Sequence, residues 1–69
     1  MEQFDLQEFV DKVHALLESK NYRELKVVLN DEMPQDIALL LEELPDKVMP
    51  PVFRLLTKEN AADVFVEMS

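Results

Sequence analysis

The 69-residue sequence contains no cysteine, no glycine and no tryptophan, and it has only seven basic residues against fifteen acidic ones. Without cysteine the chain can form no disulfide, thiol nucleophile or thiolate metal site, which fits a reducing cytosol. Because the formal net charge is −8, most of the surface repels phosphate backbones, and we expect no nucleic-acid partner. Because glycine is absent, other residues must supply left-handed turn conformations, and we expect Asn21, Asn30 and Asp31 to do so.

Long apolar runs and catalytic motifs are also absent. The longest wholly apolar stretch runs from Ile37 to Leu41, far below the roughly 18–20 residues of a membrane span, so we expect no membrane insertion by this chain. The sequence has no HExxH pattern, glycine-rich phosphate loop or EF-hand loop. The single histidine, His14, lies at helical spacing from Asp11 and Glu18, which favours a charged solvent face over a metal or acid–base role. We therefore expect no enzyme, and a small hydrolase is the weakest alternative.

An apolar pattern recurs every twelve residues along the second half of the chain. Its members are Ile37, Leu40, Leu41 and Leu44; then Met49, Val52, Phe53 and Leu56; then Ala61, Val64, Phe65 and Met68. Within each set the i, i+3, i+4, i+7 spacing places four side chains on one face of a short helix. Since twelve residues make about 3.3 turns, one continuous helix would rotate each patch away from the last. The pattern therefore predicts separate helices that stack.

The whole chain indicates an all-α fold with about five short amphipathic helices. We predict helices over residues 5–19, 22–30 and 34–44, a fourth from Met49 or Pro50 to near Leu56, and a fifth over residues 58–68. Candidate N-terminal caps are Asp5 with Glu8, Asn21 with Glu24, and Thr57, and Phe4 is placed to pack back against Phe9.

The last predicted helix stays apolar to its end. Val64, Phe65, Val66 and Met68 come just before Ser69, whereas a terminal unit of a stacked array normally carries a polar outer face. We expect either that more protein follows or that this end pairs with another copy or a partner.

Acidic residues lie on or beside the repeat helices. They are Asp36, Glu42, Glu43, Asp46, Asp63 and Glu67. Carboxylate oxygens are the ligands that Mg²⁺ prefers, and Mg²⁺ often takes only one or two of them from a protein. Each residue alone is best explained as part of a solvated face. Together they would repel an acidic neighbouring surface, and divalent ions would relieve that repulsion.

Three segments carry a family resemblance. Residues 33–44 (MPQDIALLLEEL), 52–56 (VFRLL) and 58–65 (KENAADVF) resemble the intracellular N-terminal domain of MgtE-type magnesium transporters. The resemblance extends over the whole chain and is most specific over residues 33–68. Pro50-Pro51 and Thr57 depart from the family pattern, which leaves the start of the fourth helix the least determined boundary.

The resemblance implies an α-solenoid-like, right-handed superhelix on the cytoplasmic side of the cell membrane. Residues 1–69 would form a single domain, the N-terminal part of the N domain. The CBS and transmembrane domains of such transporters are absent from this chain. In such homodimeric transporters Mg²⁺ binds between the N and CBS domains and favours the closed pore. The acidic position of the family's "AAE" segment corresponds to Asp63, so the resemblance makes Asp63 the candidate metal ligand.

Two hypotheses follow. The first is a regulatory, non-enzymatic domain that senses Mg²⁺ and partners the CBS and transmembrane domains of its own polypeptide; the isolated fragment should bind Mg²⁺ weakly or not at all. The second is a protein-interaction scaffold, similar to the superhelical N-terminal domain of a flagellar motor switch protein, in which cations are incidental. Paired CBS-type segments downstream would support the first hypothesis.

Overall fold

The computed structural model describes residues 4–68, and every regular element in that range is an α-helix. In chain order the helices are α1 (Leu6–Glu18), α2 (Tyr22–Asn30), α3 (Pro34–Glu43), α4 (Met49–Phe53) and α5 (Lys58–Met68). The all-α prediction and the number of helices are confirmed. The predicted boundaries agree closely with these, and the clearest difference is at the end of α4.

Three helices begin with a side-chain oxygen that accepts a hydrogen bond from the backbone N–H three residues later. The pairs are Asp5 with Glu8 at 3.2 Å, Asn21 with Glu24 at 3.3 Å, and Thr57 with Asn60 at 3.2 Å. Each bond satisfies one of the N–H groups that a helix start leaves without a partner. The rings of Phe4 and Phe9 meet edge to face, with centroids 5.7 Å apart, which fixes the entry into α1 as a hydrophobic staple does. The predicted caps and the aromatic contact are confirmed.

Prolines determine where α3 begins and ends. Met33 and Leu44 are extended, with ψ of 147° and 146°, because a following proline ring crowds the helical conformation of the residue before it. Pro34 occupies the first turn of α3, where no intrahelical bond is lost. The two breaks therefore follow from local sterics.

Pro50 and Pro51 lie in the first turn of α4. The helix begins at Met49, so both prolines occupy positions whose N–H groups would have no intrahelical acceptor. The predicted start is confirmed. The predicted end near Leu56 is wrong, because α4 stops at Phe53 and the chain continues through tighter i→i+3 hydrogen bonds.

The turn after α1 places Lys20 in the left-handed region, with φ of 58°. The N–H of Asn21 bonds to Leu16 O at 2.9 Å and the N–H of Lys20 to Leu17 O at 3.1 Å, the hydrogen-bond pattern of a Schellman motif. Among the described residues Lys20 is the one with positive φ. The expectation that Asn21, Asn30 and Asp31 take this conformation is wrong. Asn21 and Asp31 cap the two ends of α2, Asn30 is its last residue, and none of the three has positive φ.

The core forms where α3 packs against both α1 and α5, while α1 also packs against α2. The buried side chains are all apolar: Phe9, Val10, Val13, Leu25, Leu29, Ile37, Ala38, Leu40, Leu41, Leu44, Val52, Leu56 and Val64. The repeat therefore supplies most of the core. The described residues have a Cα radius of gyration of 11.2 Å, against about 11 Å for a globular chain of this length. This compactness is compatible with a short part of a superhelix, whose handedness stays a prediction.

One member of the repeat is exposed instead of buried or packed against the core. Phe65 is 63% exposed, which contradicts its predicted place on the buried face of the last unit. Helix α5 packs mainly against α3, and Ala61, Val64 and Met68 form that contact side. Because Phe65 follows Val64, it points about 100° further round the helix. Val66 is 70% exposed on the outer side.

The side chain of Asn30, the last residue of α2, joins that helix to the turn before α5. Its Nδ2 donates to Lys26 O at 2.8 Å and to Leu55 O at 3.1 Å. Its Oδ1 accepts from Thr57 N at 3.0 Å and from Asn60 Nδ2 at 2.8 Å. Two donors and two acceptor positions are thus used, the full capacity of an amide group.

We predict that Lys20→Gly stabilises the chain. Relief of the left-handed conformation gains about 1–2 kcal/mol, and the added freedom of the unfolded chain offsets about half of it. The expected net gain in the free energy of unfolding is about 0.5–1 kcal/mol, measured by urea denaturation. Ser19→Gly is the control, since Ser19 is right-handed with φ of −82°; a gain of the same size there would contradict the explanation.

We predict that Asn30→Ala lowers the free energy of unfolding by about 2–4 kcal/mol, because several half-buried groups lose their partners at once. Asn60→Ala should cost only about 1 kcal/mol, since Asn30 Oδ1 keeps its bond from Thr57. Equal losses in the two variants would show that the Asn30 side chain contributes no more to the free energy of unfolding than one hydrogen bond does.

Candidate functional site

Asp63 lies on α5 and is exposed. The next residue, Val64, is fully buried in the core, and successive helical residues point about 100° apart. The contact of α5 with α3 therefore fixes Asp63 on the solvent side of the helix. The candidate ligand is accessible to an ion or to another protein surface.

Two more carboxylates line up with Asp63. Glu59 and Glu67 are each four residues away and exposed, so the three residues follow one side of α5, with neighbouring Cβ atoms about 5–6 Å apart. We call Glu59, Asp63 and Glu67 the acidic ridge. Glu59 is not among the acidic residues predicted from the sequence, although its four-residue spacing from Asp63 is visible there.

The other acidic candidates are spread over different positions. Asp36 is half-buried in the first turn of α3, where a carboxylate is stabilised by the positive end of the helix dipole. Glu42 and Glu43 are exposed at the other end of α3, and Asp46 is exposed in the following turn. Within residues 4–68, no group of three or more acidic, histidine or cysteine side chains is arranged to hold a metal ion.

His14, the single histidine, lies on α1, and Ser19 is the residue that follows the same helix. His14 is half-buried on α1, and it does not join Asp11 and Glu18 in a metal-binding group. The hydroxyl of Ser19 donates to Leu16 O at 3.2 Å, which is a local helix-end contact. No polar or charged side chain in the described range is buried, so these residues offer no enclosed polar site.

One protein family matches the second half of the chain. The model of the MgtE intracellular N domain matches residues 32–69, just over half of the chain. The chain belongs to this family. No curated protein and no solved structure matches the sequence.

The match to the MgtE N domain covers α3, α4 and α5, and therefore Asp63 and the whole acidic ridge. The resemblance stated from the sequence is confirmed over residues 32–69; its extension to residues 1–31 stays a prediction. The MgtE N domain is a transporter regulatory domain and belongs to no known enzyme family. Across the described part of the chain, none of the helices combines the length and apolar character needed to cross a membrane.

The donor chemistry of the acidic ridge fits Mg²⁺ only in part. Exposed carboxylate oxygens are suitable ligands, and Mg²⁺ retains several waters when it binds. The described residues nevertheless supply no group of three or more donors, so a site with three or more protein ligands in this MgtE N domain would need oxygen atoms from another surface. Asp63 as a metal ligand stays a prediction.

We predict that the 69-residue chain alone gains almost no stability from Mg²⁺. If the dissociation constant is about 10 mM or weaker, about 5 mM Mg²⁺ adds only about 0.2 kcal/mol to the free energy of unfolding. Urea denaturation in MgCl₂ and in NaCl of equal ionic strength measures this difference. A saturable gain above about 1 kcal/mol would mean that the chain contains a complete site.

Proposed function

We propose that this chain is a Mg²⁺-sensing regulatory domain of a magnesium transporter, and that it acts at an interface with the CBS domains of the same polypeptide. In this proposal the domain lies on the cytoplasmic side of the membrane in a homodimeric transporter. Bound Mg²⁺ brings the N and CBS domains together and favours the closed pore, whereas low Mg²⁺ releases them.

The observation that carries the proposal is the family match over residues 32–69. The position of Asp63 supports it, because the residue is exposed on a helix whose other side is held in the core. A ligand directed away from the core can be shared with a second domain. Its place beside Glu59 and Glu67 also concentrates negative charge where that domain would approach.

Charge explains how the domain responds to Mg²⁺. The chain carries a net charge of −8, and two carboxylates about 6 Å apart at a partly dehydrated surface repel by about 3 kcal/mol at an effective dielectric constant near 20. The acidic ridge therefore opposes contact with another acidic surface. Mg²⁺ supplies positive charge between the two sets of oxygens, and contact becomes favourable when the ion is present.

The test uses a polypeptide that contains this domain together with the CBS domains, studied by small-angle X-ray scattering as Mg²⁺ is raised into the millimolar range. We expect the radius of gyration to fall. Asp63→Asn should shift the midpoint of that change to at least about threefold higher Mg²⁺, equivalent to about 0.7 kcal/mol. Loss of one carboxylate weakens the shared site and leaves the core contact of α5 intact.

Asp31→Asn is the matched control, because Asp31 is also exposed but precedes residue 32, where the family match begins. It removes the same charge and should leave the midpoint unchanged. Scattering that does not respond to Mg²⁺ in the unsubstituted protein would overturn the proposal and favour the scaffold hypothesis. Equal shifts in both variants would show that only total charge matters and remove Asp63 from the site.

A further inference from the structure

A surface groove runs between the start of α1 and the end of α2. Its lining includes Phe4, Asp5, Glu8, Phe9, Val28 and Glu32, with Lys12 at its edge. All but Glu32 precede the residues that match the MgtE N domain. The groove contains none of the acidic-ridge residues.

The groove has an apolar base that is open to solvent. Phe9 is only 6% exposed, whereas Phe4, packed against it, is 42% exposed. Val28 from α2 is half-buried beside them. An apolar side chain from a partner would bury the accessible part of Phe4, and that burial is the favourable term for docking.

Carboxylates surround this apolar base. Three acidic side chains and one lysine give the groove a net charge of −2. These acids do not form a metal-binding group within residues 4–68. Carboxylates spread along a groove can pair with several cationic side chains of one partner. Asp5 already accepts a bond from Glu8 N, so the Glu8 and Glu32 carboxylates are the principal acceptors for an incoming cation.

We propose that this groove binds a cationic amphipathic segment of a partner protein. An aliphatic side chain of that segment packs on Phe4 and Val28, and neighbouring lysine or arginine side chains pair with Glu8 and Glu32. Charge complementarity selects the partner, since an acidic segment would be repelled by the same carboxylates. The exposed ring of Phe4 adds a favourable surface for a cation.

The experiment titrates the isotope-labelled 69-residue chain with a synthetic amphipathic helix composed of leucine and lysine, followed by amide chemical shifts. Polylysine with the same number of charges is the control ligand. We expect the shift changes to cluster on both sides of the groove, around Phe4 to Lys12 and Val28 to Glu32. Glu32→Gln should weaken the affinity about three- to fivefold, as expected for loss of an ion pair of a half-buried carboxylate at the surface.

Glu18→Gln is the control variant, because it removes the same charge from an exposed position on α1 outside the groove. Its affinity should match that of the unsubstituted chain, and circular dichroism confirms that both variants are folded. The proposal is overturned if polylysine binds equally well, if Glu18→Gln weakens binding as much as Glu32→Gln does, or if the shifts lie mainly on α5.

Discussion

The position of α5 depends on the amide of Asn30. This side chain lies at the end of α2, yet it bonds to groups 25 to 30 residues further along the chain, at Leu55, Thr57 and Asn60. It accepts from the N–H of the capping residue and donates to the carbonyl two residues before it, so it fixes the turn in which α5 begins. Because these groups are half-buried or lie at a helix start, no repeated apolar contact could replace the pairing.

Once α5 starts at that turn, its rotation is set by packing. Val64 is fully buried against the core, and Ala61 and Met68 lie on the same side. The acidic ridge is then directed to solvent, and Val66 lies on the outer side as well. The hydrogen bonds of the Asn30 amide and the buried contact of Val64 therefore determine the direction of Asp63, although neither involves Asp63 itself. A substitution that rotates α5 would move the ridge without changing any carboxylate.

Much of this fold could be predicted because its signals are local. A proline acts on the residue before it, as at Met33 and Leu44, and a cap acts three residues away, as at Asp5. The sequence predicts the left-handed turn at the wrong residues, because asparagine tolerates that conformation better than lysine does and only the Schellman hydrogen bonds select Lys20. The hydrogen bonds of the Asn30 side chain could not be predicted, because their partners are distant in the sequence. Phe65 fits the helical period, but the period cannot show how many neighbours α5 has.

The incomplete donor set is what the proposed regulation requires. A ligand that binds two arrangements of a protein equally well cannot shift their populations, however tightly it binds. If α5 alone supplied a full set of ligands, Mg²⁺ would bind in the separated and the docked arrangement alike. The described residues offer exposed carboxylates but no group of three or more donors; under the proposed function, strong binding would therefore depend on a second surface. By thermodynamic linkage, each domain contact that completes the site raises Mg²⁺ affinity by the same factor by which Mg²⁺ favours the contact.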